Sequence, residues 1–286
     1  MCPGSSPGRG TFERFDDSSN GVEMDIALGN EAVNLLSQAR LNKIPLPRLP
    51  EKLRPKNESE AYYIQSLFHK YLVSSGYGNI SGRKIGCTSE VMQNYLGIKT
   101  PCVGAIYSSG IQKIHGKFLF DDFIRPGVEC EIAVILGTDL GDNGFEYDRN
   151  SVEPFVSSVM CAIEIVDDRW IDYKSVDTYS LISDDFFGSG CVVGEYKDPA
   201  SINLREINGR ILVRDKLVGM GVGRDIMGHP FEALAWLANF FSHRKDYLRK
   251  GEIISLGSIV ETIWVNKGDQ VEVRMENLGN VKVDFL

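Results

Sequence analysis

The stretch 127–136 reads GVECEIAVIL and sets two glutamates inside an otherwise apolar run. Its β-branched and aliphatic residues, bounded by proline and glycine, predict a β-strand. Because side chains alternate between the two faces of a strand, Glu129 and Glu131 lie on the same face as Ala133 and Ile135. Two carboxylates at the head of an apolar face repel each other unless a cation or a shared proton lies between them. Any fold of this chain therefore has to compensate the repulsion between Glu129 and Glu131.

A second apolar run, VMCAIEIV at 159–166, carries one further acid, Glu164. Three glutamates in apolar surroundings can converge as oxygen ligands of a hard divalent cation such as Mg²⁺. The alternative is that Glu129 and Glu131 lie on an ordinary solvated face of a sheet. Glu164 favours the metal site, because a buried carboxylate without a partner is costly. The pattern alone leaves both interpretations open.

Several short motifs in a fixed order resemble those of a known family. They are GRKIGCTS (82–89), VECEIA (128–133), AIEIVDDR (162–169), GHP (228–230) and GEII (251–254). On these motifs the chain resembles the 2-keto-4-pentenoate hydratase family of the fumarylacetoacetate hydrolase superfamily, which also includes the 2-oxo-3-hexenedioate decarboxylases. The resemblance extends from about residue 25 to the end of the chain.

The resemblance implies an α+β fold, the fumarylacetoacetate-hydrolase-like mixed β-roll with an N-terminal helical pair. Apolar residues at helical spacing within 27–41 and 59–72 predict the two helices of that pair. We therefore expect a disordered tail over 1–24, rich in Pro, Gly and Ser, and a helical region over 25–78. The β-roll catalytic domain is expected over 79–286.

The resemblance also implies roles for four of these residues. Glu129, Glu131 and Glu164 would hold Mg²⁺ or Mn²⁺. Lys84 would be catalytic, stabilising an enolate oxygen or moving a proton. Taken alone, a lysine in a strand is more typical of a solvated sheet edge.

Two further residues, Arg169 and Asp184, match residues of the family's motifs, and we expect both to bind substrate. The planar guanidinium of arginine binds a carboxylate through two parallel hydrogen bonds. From the residues alone, an ion pair with Asp167 or Asp168 explains Arg169 equally well.

The implied activity is that of a divalent-metal-dependent lyase. It would add water to a small 2-hydroxydienoate or 2-oxo acid through an enolate held at the metal. Decarboxylation or C–C hydrolysis of a 2-oxo acid on the same site stays an alternative, as does a relative that binds metal and a 2-oxo acid without turnover. Four residues depart from the family pattern: Cys102 replaces an aspartate of many hydratases, and Asp185, Phe186 and Phe187 stand where the family usually has Asn, Ala and Ser.

The composition argues against several other classes. A formal net charge of −8 argues against partners such as nucleic acid or an anionic membrane surface, and no apolar run is long enough to span a bilayer. The six cysteines occur singly, which suits reduced thiols in the cytoplasm better than disulfides or a zinc site. The resemblance implies a homo-oligomer that acts on a small 2-oxo acid.

Overall fold

The computed structural model describes residues 24–142 and 144–286. The predicted tail, 1–24, therefore lies outside the described residues except for Met24. Within the described part, no helix is both long and apolar enough to cross a membrane.

Two long helices open the described chain and confirm the predicted helical pair: α1 (Ile26–Asn42) and α2 (Glu58–Leu72). The side chains of Asp25 and Asn57 cap them by accepting hydrogen bonds from first-turn amides, which a helix start otherwise leaves unsatisfied. The two helices pack together through a shared apolar cluster, which includes Ala32, Leu36, Ile64 and Phe68.

The rest of the described chain is mostly short strands with a few helices between them. The helices are α3 (Glu90–Leu96), α4 (Arg149–Val152), α5 (Thr178–Ser183) and α6 (Pro230–Ser242). The strands are β1 (Ile80–Gly86), β2 (Cys102–Tyr107), β3 (Ile111–Lys113), β4 (His115–Phe118), β5 (Pro126–Leu136), β6 (Leu140–Gly141), β7 (Val156–Asp167), β8 (Gly188–Val193), β9 (Asn208–Val213), β10 (Lys216–Val222), β11 (Tyr247–Leu248), β12 (Ile253–Ser258), β13 (Ile263–Trp264), β14 (Gln270–Met275) and β15 (Gly279–Phe285).

The larger sheet has the strand order β2-β1-β12-β5-β7-β8-β3, with β13 added beside β5. Most neighbours are antiparallel, but β1 runs parallel to β12, and β3 runs parallel to β8. This mixture brings strands from both ends of the chain to the two long central strands, β5 and β7. The α+β class is thereby confirmed, with open sheets rather than a closed barrel in the described part.

The second sheet has the order β10-β9-β14-β15-β4, and the main apolar core includes side chains of both sheets and of α6. On β5, Cys130, Ile132 and Val134 belong to that core. Alternation therefore turns Glu129 and Glu131 to the opposite face, as predicted.

The opposite face continues beyond the glutamates as a small apolar cluster, called here the apolar floor. Its buried members are at most 7% exposed and come from five strands of the larger sheet: Ile106, Ala133, Met160, Ala162, Cys191, Val193 and Ile253. The acidic groups and the apolar floor therefore share one face of the larger sheet.

Candidate active site

Three glutamates meet where β5 and β7 pair. Glu129 lies directly opposite Glu164 in the antiparallel register, and Glu131 follows on the same face of β5. Each residue offers a carboxylate oxygen, and these oxygens all lie within 4.8 Å of one another. Glu131 and Glu164 are at most 2% exposed, and Glu129 is partly buried.

The cluster is oriented by groups from the segment that runs from β12 to β13. The Glu131 carboxylate accepts hydrogen bonds from the Ser255 hydroxyl and, at 3.0 Å, from the Gly257 amide. The Glu129 carboxylate accepts one from the Thr262 hydroxyl. Sequence reasoning missed these three residues; the one available signal was a serine inside the apolar strand β12.

The electrostatics of the cluster favour uptake of a positive charge. Burial raises the pKa of Glu131 well above its ordinary value, and repulsion from Glu164 and Glu129 adds to this. Burial also raises the pKa of Glu164; Lys84 opposes the shift and Glu129 adds to it, so that this pKa reaches about 7. Bringing the three together as anions is therefore costly unless a cation compensates.

Besides Glu164 Oε1, which lies 3.1 Å from the Lys84 ammonium, two carboxylate oxygens in this cluster, Glu131 Oε1 and Glu164 Oε2, are buried without a hydrogen-bond partner. Buried polar atoms are normally satisfied, so both are available as ligands. Carboxylate oxygens are the donors that Mg²⁺, Mn²⁺ and Ca²⁺ prefer. The residues present therefore fit a hard divalent cation.

Lys84 is the basic group of the site. It lies on β1, is 4% exposed, and its Nζ is 3.1 Å from Glu164 Oε1. Nζ also donates a hydrogen bond of 2.8 Å to the Phe186 carbonyl. Although burial lowers the pKa of Lys84, attraction to Glu164 and Glu129 outweighs it and raises that pKa above its ordinary value. The ammonium form is thus strongly favoured.

Glycines make the room that the lysine occupies. A Cβ added at Gly104 would lie 3.2 Å from Lys84 Cγ and Cε, and one at Gly188 would lie 3.3 Å from Cε. At Gly104 the added atom would also lie 2.9 Å from the Asp185 carbonyl oxygen, closer than real contacts allow. Gly104 is therefore part of the site's architecture.

Arg169 and Asp184 lie beside this centre and bind each other. Arg169 Nε is 3.0 Å from both Asp184 carboxylate oxygens, and the pair is at most 2% exposed. Arg169 NH1 donates to the Phe187 carbonyl at 3.3 Å and to the Ser189 hydroxyl at 3.0 Å, and NH2 donates to the Asp184 backbone carbonyl at 2.8 Å. The arginine thus has an ion-pair partner, but it is Asp184 rather than Asp167 or Asp168. The substrate-binding role of both residues stays a prediction.

The segment that Arg169 braces has an unusual backbone. Asp185, Phe186 and Phe187 have φ values of 56°, 47° and 67°, a left-handed region that non-glycine residues seldom adopt. The Asp185 carboxylate holds it in place: it is 2.5 Å from His69 Nε2 and 3.6 Å from Arg40 NH1. The helical pair therefore supports the carbonyl that Lys84 contacts.

Cys102, which departs from the family pattern, is buried among apolar neighbours of the helical pair. Contact with Cys87, together with burial, raises the pKa of its thiol well above the ordinary value. A thiol that stays protonated cannot replace an aspartate as a base. Its packing among these residues agrees with a structural role.

The sequence profile described as fumarylacetoacetate (FAA) hydrolase C-terminal matches residues 120–285, which is more than half of the chain. Among curated proteins, the chain is 31% identical over 258 residues to a 2-keto-4-pentenoate hydratase of Paraburkholderia xenovorans (strain LB400), covering 89% of this chain and 94% of that one. It is also 27% identical over 229 residues to a 4-oxalocrotonate decarboxylase of Pseudomonas putida, covering 80% and 85%.

Among solved structures, the fold is similar to that of 4-oxalocrotonate decarboxylase from Pseudomonas putida G7 complexed with magnesium and adipate. The TM-score is 0.85 at 23% identity, and the match covers 91% of this chain and 98% of that one.

Proposed function

The chain belongs to the fumarylacetoacetate hydrolase family, and on that premise we propose that it is a divalent-metal-dependent lyase of the 2-keto-4-pentenoate hydratase type. The observation that carries the proposal is the cluster of Glu129, Glu131 and Glu164, with buried unpartnered oxygens next to a buried lysine. Its substrate would be a small 2-hydroxydienoate or 2-oxo acid. The similarity to a named hydratase over most of both chains supports the same reaction.

Glu129, Glu131 and Glu164 would hold the cation, which we propose to be Mg²⁺ or Mn²⁺. When bound, it supplies Lewis-acid stabilisation of negative charge on a substrate oxygen. Ser255, Gly257 and Thr262 fix the carboxylates from outside, and such supporting hydrogen bonds are needed for tight binding.

Lys84 would act on the substrate itself. Its ammonium group is held between Glu164 and the Phe186 carbonyl, so that it can donate a hydrogen bond to an enolate oxygen or move a proton to the carbon chain. The buried apolar floor at one end of the glutamate cluster excludes water from that side, which strengthens these interactions.

The same site would also suit two alternative reactions, decarboxylation and C–C hydrolysis of a 2-oxo acid. The similarity to a decarboxylase of Pseudomonas putida makes decarboxylation the second candidate reaction. A relative that binds metal and a 2-oxo acid without turnover is motivated by Cys102, Phe186 and Phe187. The cost of keeping two buried acids, the partly buried Glu129 and a buried lysine together argues against it.

Turnover with and without metal tests the proposal. We expect protein supplied with Mg²⁺ or Mn²⁺ to convert 2-hydroxypenta-2,4-dienoate, and chelation or Glu131→Gln to abolish the conversion. Glu195→Gln serves as the matched control, because the Glu195 side chain is 69% exposed. A 2-oxo-3-enedioate and an acylpyruvate complete the panel, since carbon dioxide or pyruvate among the products would identify the alternative reaction. Bound metal with no turnover of any substrate would support the non-catalytic relative.

We further propose that the chain is a cytoplasmic homo-oligomer with a role in aromatic catabolism, and that the catalytic domain spans 79–286. Free thiols at Cys87, Cys102, Cys130, Cys161 and Cys191 support a reducing compartment. Exposed apolar side chains on β10, an edge strand of the second sheet, support an oligomer.

A further inference from the structure

The glutamate cluster is closed at one end and open at the other. At the closed end, the buried members of the apolar floor follow Glu131 along the face of β5 and are at most 7% exposed, with the partly exposed Ile135 beyond them towards the end of the strand. At the other end, Glu129 is the partly buried member of the three carboxylates. A substrate therefore reaches the cluster from the Glu129 end, and the part of the substrate that projects from the cluster lies there.

Four aromatic rings follow one another at this open end; we call them the aromatic wall. Phe186 and Phe187 have ring centroids 5.6 Å apart, and Phe187 is 5.6 Å from Tyr173. Tyr173 is in turn 6.4 Å from Trp264. Phe187, Tyr173 and Trp264 are partly exposed, so these three rings offer apolar surface.

Both ends of the wall are attached to the glutamate cluster. At one end, the Phe186 carbonyl accepts the hydrogen bond from Lys84, whose Nζ lies 5.8 Å from the centre of the Phe186 ring. At the other end, Trp264 pairs with Gly127, two residues before Glu129 on β5. The wall therefore extends from the lysine to the most exposed carboxylate.

Three cations that contact this wall are already paired with acidic side chains. Lys84 is paired with Glu164, and Arg169 with Asp184. The guanidinium of Arg125 is 4.3 Å from the centre of the Trp264 ring and 3.3 Å from Asp168. A second carboxylate on a substrate would meet these occupied cations, the aromatic rings and the negative charge of Glu129.

We propose that the aromatic wall binds an uncharged, apolar tail on the substrate. This deepens the proposed function and rests on it: the preferred substrate is then a monocarboxylic 2-hydroxydienoate with an alkyl or aryl group on its terminal carbon. A substrate with a carboxylate in that place is disfavoured. Hydration is accordingly favoured over decarboxylation of a diacid.

The test measures binding first, so that it does not depend on turnover. Three saturated 2-oxo acids are titrated into the protein with Mg²⁺ by calorimetry: 2-oxopentanoate, 2-oxo-5-phenylpentanoate and 2-oxohexanedioate. We expect the phenyl acid to bind at least about tenfold more tightly than 2-oxopentanoate, the usual scale of a well-filled apolar subsite. The diacid is expected to bind more weakly than either.

Variants test whether the aromatic wall causes the tighter binding of the phenyl acid. Phe187→Ala should remove most of the phenyl advantage and leave the affinity for 2-oxopentanoate unchanged, and Phe187→Leu should keep part of it if the alanine variant folds poorly. Phe145→Ala, at a phenylalanine that is 55% exposed, is the matched control and should change nothing. Equal losses for all three acids in Phe187→Ala would overturn the proposal.

A preference for the diacid would also overturn the proposal. Loss of that preference in Arg125→Met or Lys174→Met would then identify the cation responsible; Lys174 follows Tyr173, and both residues line a cleft of about 470 Å³ beside the wall. Failure of the proposed function is a separate result: the expected binding order would stand, but none of the matching 2-hydroxydienoates would be turned over.

Discussion

Lys84 and Glu164 face opposing requirements. Their side chains form a buried ion pair of 3.1 Å, which relieves one of the three carboxylates. The same ammonium group would repel a cation bound beside it, so that under the proposed function the lysine weakens metal binding while it serves the chemistry. This conflict can be measured, because the two effects have opposite signs in one variant.

We expect Lys84→Met to bind Mn²⁺ several-fold to about tenfold more tightly than wild type, because removal of a unit charge a few ångströms away is worth on the order of 1 kcal/mol or more. Turnover should fall by about 100-fold or more, the usual contribution of a positioned acid or base. Calorimetry and steady-state kinetics measure the two effects. Lys267→Met, at a lysine whose side chain is 58% exposed, is the control, and weaker Mn²⁺ binding in Lys84→Met would contradict the expectation.

Ser255 is the second residue with a specific expectation. Its hydroxyl donates to Glu131, and it is 1% exposed. Ser255→Ala should weaken Mn²⁺ binding by about 10-fold or more, since supporting hydrogen bonds carry effects of that size. Ser157→Ala, at an exposed serine on β7, is the matched control. Unchanged affinity in Ser255→Ala would show that the carboxylate keeps its orientation without the hydroxyl.

At the scale of single residues, the sequence predicted which face the carboxylates share but not the hydrogen-bond donors that orient them. Alternation along 127–136 placed Glu129 and Glu131 on one face, and the structure agrees. Ser255 and Thr262 could not be identified in the same way, because they join the glutamates from 124 and 133 positions away along the chain. Local periodicity carries no information about such pairings.

The element with the least ordinary geometry is the segment Asp185–Phe187, because three consecutive residues have positive φ. Such backbone persists only where its surroundings fix it. Here the support is the buried Asp185 carboxylate, which contacts Arg40 of α1, His69 of α2 and the backbone amide of Ala105 in β2. Three elements therefore converge on one side chain.

We expect Asp185→Asn to lower the free energy of unfolding by about 3 kcal/mol at neutral pH, the usual cost of removing one partner of a buried ion pair. Chemical denaturation measures the change. The matched control is Asp284→Asn, because Asp284 pairs with a half-exposed histidine, His115, and its loss should cost less than about 1 kcal/mol. A change of that small size in Asp185→Asn would mean that the segment is held by other contacts.

The same carboxylate predicts a dependence on pH. Burial alone would raise the pKa of Asp185, but His69 and then Arg40 outweigh it and lower the pKa to about 2, below the ordinary 3.8. A depressed pKa stabilises the folded protein above pH 3.8, and this contribution is lost as the pH falls through about 2. Between pH 5 and pH 2 the wild type should therefore lose about 2 kcal/mol more than Asp185→Asn, measured by denaturation at each pH. Parallel pH profiles would contradict this.

The sequence predicted the elements around this segment but not its conformation. The helical pair followed from apolar spacing, and α1 and α2 match it within one residue at each end. The left-handed backbone of Asp185–Phe187 has no such signal, because it depends on Arg40 and His69, which lie far away in the chain. Tertiary contacts decided a local conformation that propensity disfavours.

For the whole molecule, the two sheets and their order could not be read from the chain. Short alternating runs indicated strands, but the parallel pairing of β1 with β12 joins residues near 83 to residues near 254. Family resemblance supplied the fold class but not this strand order, and the structural similarity confirmed the fold class.

For the whole molecule, the prediction concerns association of copies through the edge strand β10. Leu217, Val218 and Met220 are 43–64% exposed on it, and exposed apolar edges favour association. If a second copy covers them, Leu217→Glu combined with Met220→Glu should reduce the molar mass in light scattering while Mn²⁺ binding persists. Leu119→Glu, at a leucine that is 57% exposed, is the control. An unchanged mass would exclude β10 as the contact.

The position of β12 between β1 and β5 has a consequence for the order of events during synthesis. The ribosome makes Glu129, Glu131 and Glu164 long before it makes Ser255 and Thr262, which orient the first two. A nascent chain that ends before β12 carries the acids without those supports, and without the strand that joins β1, with its lysine, to β5. The centre is thus completed only when nearly the whole chain has emerged.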